Sequence, residues 1–290
     1  MSPVLSQVIK SITSWRIFVL LKRTIQEFTI DNCPLLAAAV SYYLLLSIFP
    51  FLLGLISLSS FFVNKSALQE QIFQAFKYLV PISPDFLSNI TNSVIAGREA
   101  TGIIAVILLF VGCLGFFNAL RRALNTAWGV YKSGSFIRMH LTNFVMVLAA
   151  VLLLFMSRFM TIILTVSENM LTKTIEQPEA HSALSRLLAL IIGVTVAFII
   201  FLISYKYIPE RRIRWRDIWL SALLGAICFE IINRFFMLYL DTFNPYSLIY
   251  GSLGAIIAML IWTYLFAFIF LFFAKIAAVN LKIKDEQLQQ

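Results

Sequence analysis

An acidic and a basic residue stand one helical turn apart inside an apolar stretch of this sequence. Glu230 and Arg234 are four positions apart, a spacing that places two side chains on one face of a helix, and Asn233 adds a polar group beside them. Charges within such a stretch are costly and typical of sites for ions or polar substrates. Two interpretations stay open. The pair either neutralises itself and fixes neighbouring helices, or forms a site where Arg234 meets an anionic group and Glu230 tunes or releases it.

Arg158 and two tyrosines are further candidates for such a site. Arg158 falls near the outer end of another apolar stretch, where its long side chain is expected to snorkel to the lipid headgroups, and Lys275 near the end of the last stretch is expected to do the same. If both turned inward instead, three cations would face one carboxylate, and a pathway lined in this way would favour anions such as lipid phosphates. Tyr42 and Tyr43 either line a path or form bonds across helices.

The sequence lacks the residue patterns of an enzyme site. The two histidines, His140 and His181, are predicted on opposite sides of a membrane and therefore cannot share a metal ion. No HExxH, GxSxG or Walker motif is present, and the predicted cytoplasmic segments hold no carboxylate cluster for Mg²⁺. We therefore expect no catalytic activity, no metal site and no cofactor.

The composition of the chain is that of a membrane protein. Hydrophobic residues make up 60% of its 290 residues, and charged residues make up 13%. In soluble domains, roughly 45–50% of the residues are hydrophobic and about 25% are charged. The three cysteines, Cys33, Cys113 and Cys228, lie in or beside apolar stretches, which predicts no disulfide framework. Soluble enzymes, disordered chains and disulfide-rich secreted domains are excluded, and an all-α polytopic membrane protein remains.

Six stretches are long and apolar enough to cross a bilayer core of ~30 Å as helices. They cover residues 35–63, 101–120, 141–166, 187–208, 218–240 and 247–280. Pro50 lacks an N–H group and therefore predicts a kink in the first span. Small residues at four-residue spacing predict close helix packing; they are Ser221 and Gly225 in the fifth span, and Gly251 and Ala255 in the sixth.

The lysines and arginines predict the orientation of these spans. Sixteen of the 23 fall in or beside the segments that alternate on one side, five fall on the other side, and two lie within spans. Both termini are therefore predicted in the cytoplasm, and the net charge of +9 follows largely from this bias. The basic loops are short and, apart from Trp215, lack the aromatic platforms of nucleic-acid-binding surfaces. Membrane lipids and an anionic substrate are the expected partners, not nucleic acid, and the sequence does not indicate an oligomeric state.

The segments outside the spans are small. Residues 1–34 have apolar residues at helical spacing and predict a cytoplasmic interfacial helix beside the first span. The outer loop, residues 64–100, predicts two short amphipathic helices that rest on the bilayer, cover a cavity or bind a partner. Residues 35–280 therefore form one six-helix domain, followed by a cytoplasmic tail at 281–290.

Four motifs together resemble the YihY/BrkB family of bacterial inner-membrane proteins, and the resemblance covers residues from about 30 to 280. They are the first-helix segment AAAVSYYLLLSIFPFLLGL (37–55), the loop after the second helix RALNTAWGV (122–130), the fourth loop and fifth helix YIPERRIRWRDIWLSALLGAICFE (207–230), and the last helix YSLIYGSLGAIIAMLIWTYLFAFIFLFFAKI (246–276). The resemblance implies six helices with both termini inside the cell. An acidic residue followed by a basic one in the family's fifth helix matches Glu230 and Arg234.

One position departs from the family pattern. The last helix of the family usually ends in Gly-Ala-Glu, whereas this chain has Phe273, Ala274 and Lys275 there, so a cation replaces a carboxylate. Family members were once labelled ribonuclease BN, which the absence of metal-binding and acid–base residues argues against here. The leading hypothesis is a permease or lipid-handling protein for an anionic or amphipathic substrate. The alternative is a non-transporting envelope scaffold that acts through loop 64–100, and a ribonuclease ranks third.

Overall fold

A computed structural model describes residues 18–59, 98–130, 178–211, 213–243 and 254–289. Helices joined by short turns make up these ranges. Six α-helices and no strand occur in these ranges. They are α1 (Phe18–Ile30), α2 (Cys33–Ser59), α3 (Arg98–Ala127), α4 (Pro178–Tyr207), α5 (Trp215–Phe243) and α6 (Gly254–Leu288). The predicted third span, 141–166, and nearly all of the outer loop, 64–100, lie outside the described residues.

Three of these helices contain stretches long and apolar enough to cross a membrane. The stretches are Leu190–Tyr207 in α4, Trp215–Leu240 in α5 and Ile256–Leu288 in α6. Helices α1 and α2 qualify together as a bent pair that meets at an angle of 64°. The chain is therefore a helical membrane protein, and the count of six spans and their orientation stay predictions.

The bend between α1 and α2 lies at Asp31 and Asn32. Asn32 has a φ of 51°, a left-handed conformation that asparagine adopts more readily than most residues. Its N–H donates to the carbonyl of Thr29 in α1, and its own carbonyl accepts from the N–H of Leu36 in α2. One residue therefore ends the first helix and begins the second. Helix α2 continues through Pro50, where the kink stays a prediction.

Helix α3 ends at a glycine. Gly129 has a φ of 66°, and its N–H donates to the carbonyl of Thr126, while the N–H of Val130 donates to the carbonyl of Asn125. These two bonds form a Schellman motif, which satisfies carbonyl groups at the end of a helix. The segment 122–130 was expected to be a loop, but its first six residues belong to α3. The expectation was wrong because the helix extends beyond its apolar part.

Helix α6 connects two helix pairs, α2 with α3 and α4 with α5. The Tyr205 hydroxyl of α4 is fully buried and donates to the carbonyl of Phe270 in α6 at 2.6 Å. Three helices approach closely at Gly225 of α5. A Cβ atom there would lie 3.0 Å from the ring of Phe201 in α4 and 3.1 Å from Cβ of Phe273 in α6.

Ion pairs join α1, the end of α3, the α4–α5 link and the end of α6 at one end of the bundle. Arg23 of α1 binds both carboxylate oxygens of Glu286 in α6, and Arg121 of α3 lies 3.6 Å from Glu210 in the link. Helix α6 has 35 residues, or roughly 52 Å, so its last turns extend beyond a ~30 Å bilayer core. We call this region the ion-paired end. It collects segments that were all predicted in the cytoplasm.

Candidate binding site on helix α5

A pair of opposite charges lies in the apolar stretch of α5. The Nε atom of Arg234 donates a hydrogen bond to Oε1 of Glu230 at 3.2 Å. Glu230 lies roughly 22 Å along the stretch Trp215–Leu240, at 1.5 Å per residue. Its side chain is 15% exposed, and that of Arg234 is 48% exposed. The carboxylate is therefore turned into the protein, and the cation is turned outward.

Gly193 of α4 makes room for this carboxylate. A Cβ atom at Gly193 would lie 3.0 Å from Oε2 of Glu230 and 3.2 Å from its Cδ. These distances are shorter than ordinary van der Waals contact, so the carboxylate rests against the backbone of α4. Any side chain at Gly193 would force Glu230 to move or the two helices to separate.

Asn233 is held by a different helix. Its Oδ1 accepts a hydrogen bond from Nε1 of Trp262 in α6 at 2.9 Å. The sequence places Asn233 beside Arg234, but in the structure its side chain connects α5 to α6. This amide therefore fixes the helix that carries the charge pair.

The outward face of α5 combines the cation with apolar side chains. Arg234 shares this helix with exposed large apolar residues, among them Leu224, Ile227, Ile231, Phe235 and Leu238. They lie along the same candidate membrane-spanning stretch as the half-exposed guanidinium of Arg234. Within the described residues, Arg234 has one carboxylate partner, which binds Nε. Its two terminal nitrogens point to no second carboxylate in that part of the chain.

The two predicted tyrosines differ in their surroundings. The ring of Tyr43 packs against α3, where a Cβ atom at Gly115 would lie only 2.6 Å from its Cδ1. Tyr42 is exposed and contacts the ring of Tyr43 edge-on, with 5.4 Å between ring centroids. Tyr43 thus takes part in close packing of α2 on α3, and the structure does not bring either tyrosine to Arg234 by any contact among the described residues.

The remaining predicted site and packing residues are only partly described. Ser221 is buried on α5, next to the close approach at Gly225. Arg158 and Gly251 lie outside the described residues, and Ala255 lies in the first turn of α6.

Lys275 does not snorkel, and that prediction was wrong. Its side chain is 5% exposed, and its Nζ lies 2.6 Å from Asp31 and 3.2 Å from Glu27 of α1. The physical reason is that α1 brings two carboxylates to the end of α6, so the cation is stabilised inside the protein. Glu27 also accepts hydrogen bonds from Arg23 at 3.0 Å and from Lys282 at 3.2 Å.

Two structural features were missed in the sequence. Gly193 gave no signal, because a lone glycine in a span says nothing about a carboxylate on another helix. The buried charges around Lys275 did leave a signal. Glu27 and Asp31 have the four-residue spacing of one helical face, and the segment that carries them was considered only for its apolar and basic residues.

No group of three metal-binding residues occurs among the described residues. The search covered histidine, cysteine, aspartate and glutamate. The carboxylates at the ion-paired end, such as Glu27, instead have cationic partners. The described part of the chain thus offers charge pairs rather than a metal-ligand set.

Comparison with known proteins places this helical membrane protein in a family. The family model described as "Virulence factor BrkB" matches residues 24–290, so the chain belongs to the BrkB family. This agrees with the resemblance stated from the sequence motifs. No solved structure is significantly similar to the chain.

Three relatives show how far the similarity extends. A UPF0761 membrane protein of Idiomarina loihiensis is 25% identical over 91% of this chain and 90% of its own length. The Bacillus subtilis protein YfkH, whose name describes it as ribonuclease-like, is 25% identical over 92% of this chain and 98% of its own length. A UPF0761 membrane protein of Aliivibrio salmonicida is 28% identical over 91% of this chain and 83% of its own length. The names state a membrane protein and, once, likeness to a ribonuclease.

Proposed function

We propose that this protein is a carrier or lipid-handling protein of the bacterial inner membrane for anionic, amphipathic molecules. The observation that carries the proposal is the half-exposed guanidinium of Arg234 on an apolar, membrane-spanning face of α5. A charge at this depth is costly unless a partner is present. We take Arg234 to bind the anionic group of the substrate and the apolar residues around it to contact the hydrocarbon part.

The geometry of the charge pair supports an oxyanion as the second partner. Glu230 binds Nε of Arg234, and no carboxylate of the described residues binds the two terminal nitrogens. Two parallel N–H groups of a guanidinium match a phosphate or a carboxylate, and charge-assisted bonds of this kind are stronger than neutral ones. A phosphate or carboxylate headgroup therefore fits Arg234 while Glu230 remains in place.

Glu230 has the role of a competing anion in this proposal. It lowers the net charge of the site when no substrate is bound, and it weakens the attraction of Arg234 for the substrate, so that a bound molecule is also released. The sequence contains no ATP-binding motif, so we propose transport that is passive, coupled to an ion or driven by a partner. The proposed orientation, with both termini in the cytoplasm, follows the distribution of lysine and arginine.

The test is the flux of fluorescent anionic lipid in proteoliposomes, together with native mass spectrometry of lipids retained by the purified protein. Arg234→Gln should abolish the flux and the retained anionic molecule. Glu230→Gln should retain the molecule more tightly and slow its release, since the competing carboxylate is gone.

Leu260→Gln is the matched control. It introduces the same amide at an exposed apolar position of α6, and it leaves Arg234, Glu230 and the apolar residues of α5 unchanged. We expect it to keep both flux and bound lipid. Equal behaviour of wild type and a folded Arg234→Gln variant would contradict the proposed function and assign the charge pair a structural role.

A further inference from the structure

The surface where α4 ends and α5 begins carries exposed cations and aromatic rings, and no carboxylate of the described residues pairs with these cations. Arg214, Trp215, Arg216 and Trp219 are all exposed, and so is Tyr207 at the end of α4. We call these five residues the α4–α5 junction surface. From its composition and location we propose that this surface binds the headgroups of anionic phospholipids in one leaflet of the membrane.

The aromatic residues place this surface at a membrane boundary. Tyr207 is the last residue of one candidate span, and Trp215 is the first residue of the next. Their rings contact each other edge-on at 6.1 Å, and Trp219 lies one turn further along α5. Tyrosine and tryptophan are enriched at the level of lipid headgroups, because their rings are apolar and their polar atoms prefer water.

Trp215 is also fixed in position. The Nζ atom of Lys206 lies over its ring, 5.4 Å from the centroid, and donates a hydrogen bond to the carbonyl of Ile213. Lys206 therefore ties the end of α4 to the beginning of α5 on one side of the ring. The surface is consequently a built corner of the protein rather than a set of independent side chains.

The cations of this surface differ from their neighbours at the same end. Arg211 lies 3.7 Å from Asp285, and Lys284 lies 3.6 Å from Asp217. Arg214 and Arg216 are close to them in sequence, but neither has a carboxylate partner within the described ranges. Their charge is therefore available to an external anion, and the aromatic residues beside them indicate that this anion belongs to the bilayer.

The distance to the α5 site separates the two proposals. Arg216 and Arg234 are 18 residues apart, which is five full helical turns or about 27 Å on the same side of α5. One lipid headgroup cannot reach across this distance. A headgroup at Arg216 and a substrate at Arg234 are therefore two different bound molecules, and the inference does not depend on the proposed function.

The experiment titrates the full-length protein with phosphatidylglycerol and phosphatidylcholine in detergent and counts bound lipids by native mass spectrometry. We expect the wild type to prefer phosphatidylglycerol. R214Q/R216Q should weaken this binding by roughly 5-fold per arginine, as expected for a basic residue near an anionic surface, and leave phosphatidylcholine binding unchanged.

The double variant R211Q/K284Q is the matched control. It removes two positive charges from the same end of the protein, but both cations already have carboxylate partners. It should keep the lipid preference of the wild type. Equal losses in the two double variants would mean that only net charge matters and would overturn the proposal, as would a wild type without preference.

Two further measurements distinguish the alternatives. Inorganic phosphate at the same concentration should not displace phosphatidylglycerol, and displacement would indicate a site for free anions instead. Arg234→Gln should remove a different lipid molecule from that lost in R214Q/R216Q. If Arg234→Gln alone removed every bound anionic lipid, the proposal for the junction surface would be overturned, and the proposed function would stand. If R214Q/R216Q alone removed every bound anionic lipid, the proposed function would be contradicted, and the proposal for the junction surface would stand.

Another test uses only the wild-type protein, so it does not depend on whether the arginine variants fold. Brominated phosphatidylglycerol should quench tryptophan fluorescence more strongly than brominated phosphatidylcholine at the same mole fraction, because the anionic lipid collects beside Trp215 and Trp219. Equal quenching by the two lipids would overturn the proposal.

Discussion

The ion-paired end and the α5 site use charge in different ways. At the ion-paired end, cations find carboxylates on other helices, as Arg23 does with Glu286 and Lys275 does with Asp31. On α5, Arg234 finds its carboxylate on its own helix and remains half-exposed. Pairs of the first kind fix how helices lie against each other. The pair on α5 cannot do this through Arg234, and among the described residues the polar link from α5 to α6 here is the Asn233–Trp262 bond.

This difference bears on the two interpretations of the α5 pair. A structural pair that pins neighbouring helices would have its cation inside the bundle. Instead the carboxylate is inside, against Gly193, and the cation is outside. The comparison therefore contrasts a half-exposed cation on α5 with a closed electrostatic contact at the ion-paired end, and the binding role of Arg234 stays a proposal.

The largest expected effect is at the closed contact. Lys275→Met should lower the free energy of unfolding by about 3–5 kcal/mol, because it leaves Glu27 and Asp31 as partly buried charges without their most buried partner. Denaturation of the purified protein by increasing mole fractions of sodium dodecyl sulfate, followed by circular dichroism, measures this change.

Lys282 offers an internal control for this prediction. It also binds Glu27, at 3.2 Å, but its side chain is 55% exposed. Lys282→Met should therefore cost less than about 1 kcal/mol. Adding Glu27→Gln and Asp31→Asn to Lys275→Met should restore much of the loss, and equal costs for the two lysines would break the comparison between buried and exposed pairs.

The same site gives the cation at position 275 a structural reason. A glutamate at position 275 would place a third carboxylate beside Glu27 and Asp31, whereas Lys275 neutralises them. The cation is thus matched to α1 of this chain. That match was not predicted, because residues 18–30 and 254–288 are distant in sequence, and the contact depends on how the bent pair α1–α2 packs against α6.

Local features were more predictable than contacts between helices. The apolar stretches that form α2, α4, α5 and α6 could be read from composition, and the four-residue spacing of Glu230 and Arg234 correctly places them in contact on α5. The outward direction of Arg234 could not be predicted, because it depends on which face of α5 packs against α4 and α6. The helical end of α3 was missed since hydropathy marks the lipid-facing part of a helix but not its end.

The next largest effect is expected at Gly193, and it sharpens the other half of the comparison. Gly193→Ala places a methyl group against the carboxylate of Glu230 and should destabilise the protein by about 1–3 kcal/mol, as overpacking does. It should also change the release of bound anionic lipid, because the added methyl group displaces the carboxylate of Glu230 relative to Arg234. Flux and lipid retention measure the second effect independently of stability.

Gly225→Ala is the control for packing alone. It creates a comparable overlap with Phe201 and Phe273 without touching Glu230. It should reduce stability and leave the lipid affinity of the folded protein unchanged. Glu230→Ala should rescue the stability of Gly193→Ala, since the clashing carboxylate is removed, and a Gly193→Ala variant with normal affinity and release would contradict a functional position for Glu230.

The smallest effect on stability is expected for a solvent-exposed ion pair at the ion-paired end. Arg23 binds both carboxylate oxygens of Glu286, at 2.8 and 2.7 Å, but the pair lies at the surface of the last turns of α6. Arg23→Gln should therefore leave global unfolding nearly unchanged and speed amide hydrogen exchange locally at residues 281–288. Salt at 1 M, with a screening length of about 3 Å, should remove this difference between variant and wild type. A salt-resistant effect that extends to the whole bundle would mean that the exposed pairs hold α6 as firmly as Lys275 does, and the distinction between buried and exposed contacts at this end would fail.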